Sequence, residues 1–144
     1  MTEFGHFGIT VENLDRSIAF YRDIFGFGAG AVVERPGEYA ERLTGVPGAR
    51  LAIVSLRTPG ATVFLELVEY RGGKGERLET RPCDAGTAHL CLMTDSFDAT
   101  MDALKKAQAR FLGDVCLIPA GPRAGKRVVY LRDPEGIVLE LVEA

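Results

Sequence analysis

HFGITVENLDRSIAFYRDIFG, residues 6–26, decides the fold because it has a counterpart later in the chain, HLCLMTDSFDATMDALKKAQA at residues 89–109. His lies over His at a constant offset, and the apolar positions follow. In the first copy, Leu14, Ile18, Tyr21 and Phe25 recur at helical spacing behind Asn13, a good N-cap, and Gly26 and Gly28 stop the helix. In the second copy Ser96 stands at the cap position, and Phe97, Met101 and Leu104 form the matching stripe. Further on, Leu65-Glu66-Leu67-Val68-Glu69 returns letter for letter as Leu139-Glu140-Leu141-Val142-Glu143. Motif and periodicity match together, which identifies an internal duplication.

Working outward, Phe4–Val11 reads as a strand, Gly28–Glu34 as another, and Arg50–Leu56 and Ala61–Tyr70 as two more around the turn Thr58-Pro59-Gly60. A loop with Pro36, Gly37, Pro47 and Gly48 intervenes, with a short helical turn expected at Tyr39–Leu43. The second copy supplies strands at Thr87–Met93, near Phe111–Ile118, at Arg127–Arg132 and at Ile137–Val142, the last entered through the turn Asp133-Pro134-Glu135-Gly136. Each half therefore reads βαβββ. The expected fold class is α+β, with two βαβββ modules of eight strands in all. One domain is expected over residues 1–144, with repeats at about 1–72 and 85–144 joined by the polar segment Arg71–Asp84.

Composition narrows the function. A formal charge of -3 and a pI near 5.4 argue against a nucleic-acid surface. No apolar run approaches the roughly 20 residues needed to span a bilayer, and the N-terminus lacks the pattern of a signal peptide. Cys83, Cys91 and Cys116 form no CxxC pair, and their odd number argues against a disulfide framework. Cytoplasmic residence is the expectation. Cys91, within a strand, reads as a small core residue.

The chemistry gathers on His6, Glu66, His89 and Glu140. Alternation along a strand puts Glu66 with Phe64 and Val68, and Glu140 with Val138 and Val142, while the intervening leucines face away. Both strands are apolar on both faces, as strands covered on both sides are. A carboxylate there is costly unless it is paired or binds a metal. Glu69 and Glu143 fall on the opposite face at strand ends and read as surface charges. The chain has only two histidines, and they occupy equivalent repeat positions. Two His and two Glu form a mixed nitrogen and oxygen donor set suited to a divalent metal.

These residues resemble the vicinal oxygen chelate superfamily, the glyoxalase fold. The resemblance rests on His6 followed by Val11–Ser17 and Phe20–Asp23, on Leu65-Glu66-Leu67, on His89, and on Arg132–Gly136 leading to Glu140. It implies that the two modules form a curved eight-stranded mixed sheet around a metal held by His6, Glu66, His89 and Glu140, with Ni, Co, Zn or Mn as the ion. It also implies proton transfer next to a carbonyl on a small vicinal-oxygen metabolite, as in isomerases, lyases and epimerases. Glu140 is the first candidate for the base and Glu66 the second. A homodimer is expected, with the site closed inside one chain or across protomers. Two alternatives stand beside this reading. One is an extradiol-type dioxygenase with Fe(II), and the other is a metal-free drug- or metabolite-binding resistance protein.

Departures from the family pattern matter. Bacterial glyoxalase I enzymes have an Arg four residues after the first His, where this chain has Thr10. The turn Asp133–Gly136 is the generic superfamily form, unlike that of methylmalonyl-CoA epimerases. The basic loop Pro122–Arg127 reads as solvated, and Tyr130 reads equally as a core residue or as one that orients a substrate oxygen. Gly26-Phe27-Gly28-Ala29-Gly30 follows a helix, so it is not a nucleotide loop.

Overall fold

The computed structural model describes residues 1–144, which divide into two compact units, Met1–Arg77 and Leu78–Ala144. The division falls inside the polar Arg71–Asp84 segment. No helix is long and apolar enough to cross a membrane.

The first unit runs β1 (His6–Val11), α1 (Leu14–Phe25), β2 (Gly28–Ala29), β3 (Val33–Arg35), α2 (Gly37–Thr44), β4 (Arg50–Arg57) and β5 (Phe64–Gly72). The second runs β6 (His89–Thr94), α3 (Phe97–Lys106), β7 (Arg110–Phe111), β8 (Cys116–Leu117), β9 (Arg127–Arg132) and β10 (Val138–Glu143). The α+β architecture of two βαβββ modules is thus present. In each module the second strand is broken into two short pieces, so each sheet counts five segments instead of four. The expected short turn at Tyr39–Leu43 is a full helix, α2.

Topology places the first strand of each module beside its last. The order is β1-β5-β4-β2 in one sheet and β6-β10-β9-β7 in the other, with β3 on β4 and β8 on β9. β1 runs parallel to β5 and β6 parallel to β10, because the helix carries the chain back before the last strand returns. The other neighbours are antiparallel.

Local chemistry explains the helices. The Asn13 side chain accepts the Arg16 N–H at 2.8 Å, as expected of a cap. At the other end Gly26 takes φ 72° and donates to Arg22 O, and Phe27 N–H donates to Tyr21 O, closing the helix with a left-handed glycine cap. The buried stripe of α1 is Leu14, Ser17, Phe20 and Tyr21, so Ile18 and Phe25 lie at its edge. Ser17, fully buried, and Thr100 occupy equivalent places in the repeat. α3 begins differently from the expectation. Ser96 makes no side-chain cap; instead Thr94 Oγ1 accepts the Ser96 N–H at 3.1 Å and Thr100 Oγ1 donates to Ser96 O at 3.0 Å. The turn into β10 is an Asx turn, with Asp133 Oδ1 accepting from Glu135 N and Ile137 N.

The strand leucines build the cores. Leu65 and Leu67 in β5 and Leu139 and Leu141 in β10 are buried, with Glu66 and Glu140 on the opposite faces. The expectation of strands covered on both sides holds for β10, whose Val138 and Val142 are also buried. It fails for β5, where Phe64, Glu66 and Val68 are only half-buried. There α2 covers one end of the face through Ala40 packed with Leu51, Ile53, Val68 and Tyr70, and the end carrying His6 stays open.

Candidate metal centre

Register decides which side chains meet. Gly8 pairs with Glu66 and His6 with Phe64, and Ser55 pairs with Glu66 from the other side. His6 and Glu66 therefore stand one diagonal step apart on one face, and His6 Nε2 lies 3.3 Å from Glu66 Oε1. The second unit repeats this. Val138 pairs with His89 and Glu140 with Cys91, and His89 Nε2 lies 3.2 Å from Glu140 Oε2.

The structure thus places the four candidate ligands as two His–Glu pairs, one within each unit. Neither unit by itself gathers three His, Cys, Asp or Glu donors around a point. The carboxylates are less costly than the sequence implied, because the Glu66 and Glu140 side chains keep 24% and 25% of their exposure. Each pair offers an imidazole nitrogen and a carboxylate oxygen, donors of the kind a borderline divalent cation takes.

The surroundings of the two pairs differ. Beside Glu66 stand Gly8 and Ser55, and nothing lies within 4 Å of where a Gly8 Cβ would be. Beside Glu140 stand Cys91 and Tyr130. Tyr130 Oη is 3.4 Å from His89 Nε2, with the rings 5.3 Å apart. Desolvation, then the Glu140 charge, pushes both the Cys91 thiol and the Tyr130 hydroxyl up from their ordinary values. Cys91 is an exposed residue of this face, which corrects its reading as core. The signal was available: Cys91 aligns with Gly8, two residues past the histidine.

Glu69 and Glu143 are not free surface charges either. Glu69 Oε2 accepts the Leu14 N–H at 2.9 Å at the start of α1, and the Glu69 carboxylate approaches Arg71. Glu143 is gripped by Arg127, which also binds Asp98 in the first turn of α3. The Arg127 hydrogen bonds hold the Glu143 carboxyl down at about 2. Both glutamates tie the last strand of their module to the start of its helix, directly in one unit and through an arginine in the other.

Comparison with known proteins adds to this geometry. The family model described as the Glyoxalase/Bleomycin resistance protein/Dioxygenase superfamily matches residues 3–141. A 2-epi-5-epi-valiolone epimerase from Actinomyces sp. is 31% identical over 140 residues, covering 95% of this chain and 76% of the relative. A probable lactoylglutathione lyase from Vibrio parahaemolyticus is 29% identical over 143 residues, covering 96% of this chain and 88% of its own length. Among solved structures, a glyoxalase family protein from Bacillus cereus superposes with a TM-score of 0.85 at 23% identity, over 99% of this chain and 94% of that one. This last likeness concerns the fold.

Proposed function

Since the chain belongs to the Glyoxalase/Bleomycin resistance protein/Dioxygenase superfamily, we propose that it is a divalent-metal-dependent enzyme of proton transfer, an epimerase, isomerase or lyase acting on a small metabolite with adjacent oxygens. The names of its relatives, one an epimerase and one a lyase, support that class. The observation that carries the reading is the repeated His–Glu pair on the first and last strands of each module, at 3.3 and 3.2 Å.

In this reading both repeats act as one domain, and His6, Glu66, His89 and Glu140 hold Ni, Co, Zn or Mn, within one chain or across a homodimer. The ion, when bound, supplies Lewis acidity toward a pair of substrate oxygens. The protein's own part is proton management. A carboxylate beside the substrate takes the proton from the carbon next to a carbonyl and returns it, either to the opposite face or to the neighbouring carbon. Glu140 is the first candidate and Glu66 the second.

Two measurements test this. Elemental analysis of the purified protein should find close to one divalent ion per site, lost in His6→Ala and His89→Ala. Oxygen-sensitive Fe(II) would point to ring cleavage instead, and no metal under any preparation would point to a binding protein. Deuterium incorporation followed by NMR on α-hydroxy ketones and acyl thioesters should then reveal a carbon acid that exchanges only with the loaded enzyme.

A further inference from the structure

Each sheet contains a three-residue row running across its strands. In the second unit the row is His89, Val138 and Arg132, set by the pairings of β6 with β10 and of β10 with β9. In the first unit His6 pairs with Phe64, and the β4–β5 register, with Leu56 opposite Leu65, continues to Arg57 opposite Phe64. Arg57 and Arg132 are therefore the same position of the repeated module.

Their guanidinium groups have opposite fates. Arg132 is 6% exposed, and its two terminal nitrogens donate to Gly136 O and Thr80 O inside the chain, while its Nε is buried without a partner. Arg57 is exposed, and its Cζ lies over the Phe64 ring, 4.1 Å from the centroid. It makes no ion pair. Phe64 in turn lies against His6, with ring centroids 5.1 Å apart. The ring takes up one side of the guanidinium, and no hydrogen bond within the chain engages its N–H donors. An arginine so stacked is preorganised for the two-pronged recognition of a carboxylate or phosphate.

We propose that Arg57 is the substrate-anchoring residue of this enzyme and that its substrate carries an anionic group, a carboxylate or a phosphate, seated on the Arg57 edge. The inference rests on the metal reading for the placement of the reacting oxygens near His6 and Glu66. Ring-to-group steps of 4.1 and 5.1 Å separate the guanidinium from the His6 imidazole, a span that a metabolite of several carbons bridges. Arg57 touches the anionic end of the substrate and takes no part in the proton transfer.

The test uses the full chain labelled with ¹⁵N and titrated, without added metal, with inorganic phosphate and separately with malonate. The arginine Nε–H resonance that disappears in Arg57→Gln should shift with one of these anions. Arg57→Gln should weaken that binding at least tenfold. Phe64→Leu, which removes the stack, should weaken it about threefold, and Arg57→Lys should fall between wild type and Arg57→Gln. A larger response to malonate identifies a carboxylate-bearing substrate, and a larger response to phosphate a phosphorylated one. Unchanged affinity in Arg57→Gln, or shifts confined to other arginines such as Arg123, overturns the proposal. Glu66→Gln separates the two readings: it should lose metal uptake and keep anion binding. A wild-type protein that takes up no metal but still binds anions at Arg57 therefore counts only against the metal centre.

Discussion

The two units repeat one module and differ in what stands beside the candidate ligands. Around Glu66 the neighbours are Gly8 and Ser55; around Glu140 they are Cys91 and Tyr130. The His–Glu geometry survives this divergence, with separations of 3.3 and 3.2 Å. Strand register sets those distances, and register is pinned by the leucines on the buried face, where a slip of one residue would expose all of them. The neighbouring positions bear no such constraint, so they are free to specialise. Duplication thus repeated the His–Glu pair while its neighbours diverged, to a glycine and a serine in the first unit and to protic Cys91 and Tyr130 in the second.

Four experiments break or sharpen that contrast. The largest effect should come from Glu140→Gln, which lowers turnover in the assigned reaction by about a hundredfold or more, the scale of a lost general base. Glu66→Gln should cost less. Equal losses in steady-state kinetics would mean that the differing walls leave the two glutamates equivalent. The second comparison sets Arg132→Gln against Arg57→Gln in thermal melts. Losing the buried guanidinium and its two bonds to carbonyls should destabilise by about 3 kcal/mol, whereas the exposed Arg57 change should leave the melting temperature nearly unchanged.

The third concerns acid. Glu143 is held down at about 2 in the folded protein by Arg127, below its unfolded value in the ordinary carboxylate range. Its contribution is therefore complete above that range and lost as pH falls toward 2. Asp98, lowered by the same arginine, acts in the same direction. Denaturant titrations of Glu143→Gln should show a shallower acid-side decline than wild type; an identical slope would remove this tie from the account. The smallest effect is at the caps. Asn13→Ala should cost about 1 kcal/mol, and Ser96→Ala should cost close to nothing because Thr94 and Thr100 organise that end. Chemical denaturation of the two variants checks the difference.

Much of this was legible in the residues. The duplication was visible in the two histidines, in the repeated Leu-Glu-Leu-Val-Glu and in the stripe from Leu14 to Tyr21, because periodicity and spacing are properties of the chain. The first helix cap was readable because Asn13 acts on a neighbour three residues away. The second was not, since Thr94 and Thr100 reach Ser96 from either side. Glu69 looked like a solvated strand end because its partner, the Leu14 N–H, lies 55 positions away in the chain. The break in the second strand escaped notice: Gly28–Glu34 reads as one strand, but it divides into β2 and β3, with Gly30 donating to Ser55 O just beyond β2.

What the sequence determined alone was the module, its duplication and the identity of the four candidate donors, since these depend on residue type and on separations along one chain. Tertiary structure decided which side chains stand beside those donors. Only strand register places Cys91 and Tyr130 against Glu140, and only packing lays Arg57 across Phe64 while it buries Arg132. Two arginines indistinguishable in a string of letters acquire different chemistry because one is buried with both terminal nitrogens on backbone carbonyls and the other is exposed over an aromatic ring.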